Sequence, residues 1–514
     1  MRSSTTWARG LPSGRNHQRG TPALRLPVVC LAGACFGSIV AAADPTPPPP
    51  ATAPETAVAL SGPAARIHDV LQDYHEHARF QGSALVATNG EVIYREGFGP
   101  ANAELGIPNA TGTRHRIASL SKSFTAAIVL QLVGEGTLDL DAAIAHYLPA
   151  YRRDHAEQIT LHHLLSHTSG IRSEPQDWLD NRYRRPYTLD DLVELANVEG
   201  LQFPPGSRYR YSNNAYNLLA AIIERKTGQS FDTVLRERIL DPLGMHDTGL
   251  VGPDAVSLHC ATGYNQLMWG ELERAPNTDE SYAVGAGGMY STVDDLYRWN
   301  QALWGNTVLS ETSRTRMFTP GLGNAGYGWA IGTYTGADGR LNTLVYSYGA
   351  TGGAASINLR LIEDRHLIIL LGNIRQIPHT ELATTLANAV IGTPVTPMTP
   401  PLEPLYKVLV SQGVEAAVAR YADAPDLPTE RTVNQLGYEL MGRGRLDAAI
   451  RVFQFNVAAY PQAWNTYDSL AEGYMNAGDH QNAVEFYLRS LDLNPRNSNA
   501  ERMLERLDTL PGPF

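Results

Sequence analysis

Arg116-Ile117-Ala118-Ser119-Leu120-Ser121-Lys122-Ser123-Phe124-Thr125 is the stretch on which the reading of this chain turns. It holds an S-x-x-K pattern, Ser119 and Lys122, and leads into the apolar run Phe124 to Leu132. Residues three apart share a helix face, so a helix starting at Ser119 would bring the lysine Nζ to the serine Oγ. A serine hydroxyl is a weak nucleophile and needs a neighbouring base. A lysine can supply one when burial and nearby dipoles lower its pKa. Taken alone, the same four residues also describe a serine N-cap followed by a solvated lysine.

Further along, Tyr211-Ser212-Asn213 precedes a helical stretch. A Y-x-N loop sets a phenol and a carboxamide on one side of a cleft, while the plainer reading makes Asn213 an N-cap. Around these motifs, strands and helices mix. Ser83–Val86 and Val92–Arg95 flank Asn89-Gly90, a hairpin signal. Ala355–Leu361 and Leu367–Leu371 flank Glu363-Asp364 as a second pair. Helical patterns fill 122–135, 214–227 and 293–304, and Ile67, Val70, Leu71 and Tyr74 fall at helical spacing near the start. The expected fold class is α+β, with strands from both ends sharing an antiparallel sheet flanked by helices. Other devices are missing: there is no G-x-S-x-G, no G-x-x-x-x-G-K-[ST] and no H-E-x-x-H. His163 and His167 are four apart and could share a helix face, but two histidines are more often structural than metal ligands. No metal and no organic cofactor is expected.

Together these pieces resemble the serine β-lactamase-related hydrolases: class C β-lactamases, D,D-carboxypeptidases, D-aminopeptidases and related esterases. The resemblance spans about 64–395. It rests on the opening stretch, Gly136-Thr137-Leu138-Asp139-Leu140-Asp141, Leu164-Leu165-Ser166-His167-Thr168-Ser169-Gly170 and Tyr209-Arg210-Tyr211-Ser212-Asn213. Gly287-Gly288-Met289-Tyr290-Ser291-Thr292 and Asp294-Asp295-Leu296 complete it. It implies a β-lactamase/transpeptidase-like fold and an acyl-enzyme on Ser119. Lys122 and Tyr211 would be the catalytic partners, and Asn213 would hold the substrate or the lysine. His167 would be structural.

One piece departs from the pattern. The family usually carries Lys or His, then Ser or Thr, then Gly, on a strand lining the cleft. The matching stretch here is Ser347-Tyr348-Gly349-Ala350-Thr351-Gly352-Gly353. Ser347, or Tyr348 in a register shifted by one, takes the place of the cation. Without that cation, penicillins and peptides with a free C-terminal carboxylate are weaker candidates, and esters and amides stay open. Gly349 would let a substrate backbone lie against the strand. The resemblance also implies an oxyanion hole from the Ser119 and Ala350 backbone N–H groups. The leading expectation is an exported serine hydrolase acting on amides, peptides or esters. A β-lactamase, and an inactive fold serving as a binding or scaffold protein, are the alternatives.

The two ends read differently. Residues 1–25 carry five Arg and no acid, and Leu26 to Ala43 is apolar and ends in three Ala. This describes a secretory signal over 1–43, with a periplasmic or secreted product. The alternative is an uncleaved anchor, the one way the membrane would be a partner. A Pro/Ala-rich linker follows over 44–63 and a Pro-rich joint over 396–404. From 405 to 514 the chain repeats at a period of 34: Leu436 with Leu470, Gly444 with Gly478, Ala449 with Ala483, Phe453 with Tyr487, Pro461 with Pro495. That is a tetratricopeptide-like pattern, with Leu405 to Tyr421 as a degenerate earlier unit. Small residues are expected where helices cross closely. Such repeats would lean on the main domain and offer a surface for a protein partner.

The 514 residues suffice for more than one domain. With 52 acidic against 41 basic residues, net charge −11, general nucleic-acid binding is excluded. Cys30, Cys35 and Cys260 are too few for a disulfide framework or a cysteine metal cluster. Cys260 is expected as a buried filler.

Overall fold

The computed structural model describes residues 60–174, 186–198, 200–252, 259–276, 278–336, 339–395 and 402–508. The expected signal at 1–43, and most of both Pro-rich joints, lie outside the described residues. Helix α1 (Gly62–Glu76) opens the fold, two residues before the boundary expected from composition. Strands β1 (Gly82–Thr88) and β2 (Glu91–Phe98) follow as a hairpin. Its turn residues Asn89 and Gly90 both have positive φ, +53° and +84°, as a tight hairpin of matching twist requires. Helix α2 (Ser121–Gly134) carries Lys122, α3 (Leu161–Leu165) precedes His167, and α4 (Asn213–Thr227) begins at the Y-x-N loop.

The hairpin β3 (Tyr264–Gln266) and β4 (Leu272–Arg274) comes next, then α5 (Val293–Trp304). Strands β5 (Ala330–Thr335), β6 (Leu341–Thr351), β7 (Ala354–Leu361) and β8 (His366–Gly372) complete the main sheet, and α6 (His379–Ile391) packs on it. The six strands lie in the order β5-β6-β7-β8-β1-β2, antiparallel throughout. The two ends of the domain therefore meet at β8 and β1, where Ser83 pairs with Leu371 and Val86 with Ile368.

Both central strands are buried on both faces, and the two-residue period sorts their side chains into two cores. Leu85, Ala87, Leu367, Ile369 and Leu371 face the helical cluster of α2, α4 and α5. Ala84, Val86, Ile368 and Leu370 face α1 and α6, against Ile67, Leu71, Leu382 and Leu386. Helix α2 is buried along most of its length, with Phe124 stacked on Trp299 at 4.3 Å between ring centres. A helix apolar all round belongs inside a core, and this one carries Lys122 into it.

Beyond α6 the chain is helical: Glu403–Ser411, Val414–Tyr421, Glu430–Gly442, Leu446–Ala459, Trp464–Asn476, His480–Leu493 and Ser498–Asp508. Leu436, Leu470, Ala449, Ala483, Phe453 and Tyr487 are all buried. The repeat glycines do not lie at helix crossings. Gly444 and Gly478 sit in turns with φ +73° and +80°, with open space where a side chain would go. Close helix crossing belongs instead to Gly437, where a Cβ would lie 2.3 Å from the Phe453 ring. The helices also lean on the sheet-containing part of the chain. The β3–β4 hairpin places Leu267 and Trp269 in their core. Glu271 pairs with Arg445 (2.9 Å) and Glu273 with Arg443 (2.8 Å).

Two further expectations fail. Cys260 is exposed, because it sits at an isolated bridge beside Arg114 rather than in a core. His163 and His167 do not share a helix face: α3 ends at Leu165 and His167 has φ +57°.

Candidate active site

Ser119 lies in a short 3-10 turn, Ala118–Leu120, just before α2. The helix begins at Ser121, two residues later than the spacing argument places it. Ala118 has φ +46°, a conformation that costs a non-glycine residue energy and persists only where its surroundings enforce it. They do: the Ile117 N–H donates to the Met289 carbonyl (3.0 Å), and the Ile117 carbonyl accepts from Ser356 Oγ (2.8 Å). The turn holds Ser119 half-buried, so its hydroxyl is reachable.

Lys122 is 2% exposed. Its Nζ donates to Ser119 Oγ (3.2 Å), Asn213 Oδ1 (2.8 Å) and the Ala286 carbonyl (2.6 Å). The ammonium also lies 4.7 Å from the Tyr211 ring centre and 5.6 Å from that of Tyr216. Burial holds its pKa well below the usual lysine value, with the Glu174 carboxylate pulling the other way. Once neutral, the amine keeps two N–H bonds, to Asn213 and Ala286, and turns its lone pair toward Ser119.

Tyr211 approaches the serine from the other side, its hydroxyl donating to Ser119 Oγ at 2.7 Å. Burial raises its pKa, and the bond to Ser119 opposes the rise; with 39% of the residue exposed, solvent moderates the shift. The phenol is therefore protonated at neutral pH. His167 supports it from behind, its ring 4.6 Å from that of Tyr211. Its Nδ1 accepts the Ser212 N–H (3.1 Å), which fixes that nitrogen as unprotonated. Burial first, and the Lys122 charge second, push His167 down to about 3. It is a neutral positioning residue.

The Y-x-N loop is tied down at each residue. Ser212, rather than Asn213, caps α4, its Oγ accepting from the Ala215 N–H. The Asn213 N–H donates to Ser173 Oγ (3.0 Å) and its Nδ2 to Glu174 Oε1 (3.1 Å). Glu174 thereby turns the amide so that its oxygen faces Lys122. Sequence reasoning missed Glu174 and the Ala286 carbonyl. Neither belongs to a local pattern, and both act through tertiary neighbours.

On β6, Gly349 packs against the serine turn. A Cβ there would lie 2.4 Å from the Ile117 carbonyl oxygen and 2.8 Å from the Ser119 nitrogen. The space a side chain would need is thus filled by the turn itself, which replaces the expectation of room for a substrate backbone. Ser347 faces inward and is nearly buried, whereas Tyr348 and Ala350 are exposed. The structure brings Ser119, Lys122, Tyr211, Asn213 and Gly349 together.

A serine held between a buried amine and a phenol, at the junction of an antiparallel sheet and a helical cluster, defines a class of serine hydrolase. Residues 67–390 match the family described as Beta-lactamase, and the chain belongs to that family of serine β-lactamase-related hydrolases. Among its relatives, penicillin-binding protein 4* of Bacillus subtilis is 30% identical over 329 residues, 60% of this chain and 71% of that protein. Esterase EstB of Burkholderia gladioli is 32% identical over 311 residues, 52% of this chain and 78% of that protein. In structure, the D-amino acid amidase of Ochrobactrum anthropi matches with a TM-score of 0.56 and 26% identity, over 64% of this chain and 99% of that one.

Proposed function

We propose that the protein is an exported serine hydrolase that acts through a covalent acyl-enzyme on amide, peptide or ester substrates. The observation that carries this reading is the Ser119 hydroxyl flanked by Lys122 Nζ at 3.2 Å and the Tyr211 hydroxyl at 2.7 Å. Neutral Lys122 accepts the proton as Ser119 Oγ bonds to the substrate carbonyl carbon. The backbone N–H groups of Ser119 and Ala350 hold the oxyanion, each such donor being worth about 10²–10³ in rate. The proton passes through Tyr211 to the leaving alcohol or amine, and the bond to that group breaks. Water then enters, gives a proton to the Lys122–Tyr211 pair, and releases the acyl group as acid while Ser119 regains its hydrogen. Ser347 and Tyr348, where relatives of this kind carry a cation, favour substrates without a free carboxylate.

The basic, acid-free start and the apolar run Leu26–Ala43 support export. Among the described residues, no helix is long and apolar enough to cross a membrane. Residues 405–508 are read as tetratricopeptide-like hairpins docked on the hydrolase, a surface for a protein partner. Turnover of a p-nitrophenyl ester, a D-amino-acid amide and nitrocefin by the purified protein tests the reading. Ester or amide turnover exceeding that of nitrocefin is expected; turnover of none of the three would sink it.

A further inference from the structure

Arg360 lies on β7, a strand buried along its whole length, and is 1% exposed. Alternation with Leu359 and Leu361 turns it toward the helical cluster. There its guanidinium carbon lies 4.3 Å from the Trp304 ring centre, 5.0 Å from Phe318 and 6.0 Å from Trp329. Stacking on aromatic faces offsets part of the cost of burying the charge. It does nothing for the N–H groups in the guanidinium plane. Arg360 Nε and Nη1, Trp304 Nε1 and Trp329 Nε1 are all buried, and none has a hydrogen-bond partner. All four are donors, two on the guanidinium and two on side chains whose ring centres lie 4.3 and 6.0 Å from the guanidinium carbon.

Among the described residues, no carboxylate pairs with Arg360. The charge bearing on Arg360 is that of Arg314, of the same sign, and a third cation, Arg365, lies 5.7 Å from the Trp304 ring centre. The acids nearest in sequence are engaged with β6. Glu363 accepts from the Thr343 backbone and hydroxyl, and Asp364 accepts from Asn342 (2.8 Å) and pairs with Arg340 (2.9 Å). Burial and Arg314 together push the guanidinium down to about 9, which leaves it charged at neutral pH. A buried cation with neither a counter-charge nor acceptors for its donors is strongly unfavourable. Asn358 Oδ1, on the same face of β7, is an unpartnered acceptor but carries no charge. Trp304 and Phe318 are half-buried, so the cluster borders solvent on their side.

We propose that Arg360, Trp304 and Trp329 form a binding site for a small monovalent anion of halide size, separate from the Ser119 site. A halide supplies the missing charge and accepts several N–H donors at once without a preferred direction. Bromide is the probe. The full chain is unfolded thermally at constant ionic strength while sodium gluconate is replaced by sodium bromide. The midpoint should rise by about 3 °C at a hundredfold excess of bromide over its dissociation constant, and in proportion to the logarithm of bromide above that constant. Trp304→Phe keeps the stacking but loses one donor, and should need several-fold more bromide for the same rise. Arg360→Met should not respond. A crystal grown in bromide should show an anomalous peak at Arg360 Nε or Nη1, which decides the matter if Arg360→Met fails to fold. Absence of that peak, or a bromide response that Arg360→Met retains, overturns the proposal.

Discussion

Lys122 and Arg360 are two cations buried to almost the same degree, 2% and 1% exposed, and they are treated in opposite ways. Lys122 has three acceptors around Nζ, and burial lowers its pKa toward the neutral form that can take a proton. Arg360 has aromatic faces and no acceptor for Nε or Nη1. Burying a lysine makes a base, because an amine can shed its charge. A guanidinium keeps its charge, so burying one creates a demand for an anion.

Substitutions that exchange or weaken these features probe the contrast. The largest effect is expected from Lys122→Arg, which puts a side chain that cannot shed its proton in place of the base: kcat/KM should fall by about 10³-fold or more. Arg360→Lys should leave kcat/KM within a few-fold, and a loss comparable to that of Lys122→Arg would break the comparison. Tyr211→Phe deletes the hydroxyl on Ser119 and should lower kcat by about 10²-fold. Gly349→Ala forces the β6 strand away from the Ile117–Ser119 backbone. A displacement of this kind can cost up to about 10²-fold in kcat/KM, and circular dichroism should show the fold retained.

Among the active-site variants, Glu174→Gln should have the smallest effect on rate, a few-fold, and a diagnostic effect on pH dependence. The carboxylate raises the Lys122 pKa, so its removal lowers it further. The amine would then stay neutral to lower pH, and the acid limb of kcat/KM should move down in pH. A limb that stays put or moves up would show that Glu174 does not act through the lysine.

The same pair of sites shows what the sequence makes legible. Ser119 and Lys122 sit three residues apart, so local spacing joins them. The Asn89-Gly90 hairpin and helix α5 at 293–304 are likewise set by short-range signals. The antiparallel sheet follows from the two hairpins at opposite ends of the domain, which need each other's edges. Glu174, the Ala286 carbonyl and the Arg360 cluster have no such signal. Arg360 meets Trp304, Phe318 and Trp329 only after β7 is laid against the helical cluster. Gly349 was visible as a required glycine, but what fills its space is a turn 230 residues earlier in the chain, counted from Ser119. Cys260 misled because apolar character says little about a residue beside an exposed bridge.

The central claim is that Ser119 is the nucleophile, and intact-mass spectrometry after a brief reaction with an acylating p-nitrophenyl ester or a β-lactam tests it most directly. The account predicts a single acyl adduct that maps to the peptide containing Ser119 and is absent from Ser119→Ala. An adduct of the same mass on Ser119→Ala, or one that maps to another residue of the unmodified protein, would contradict it.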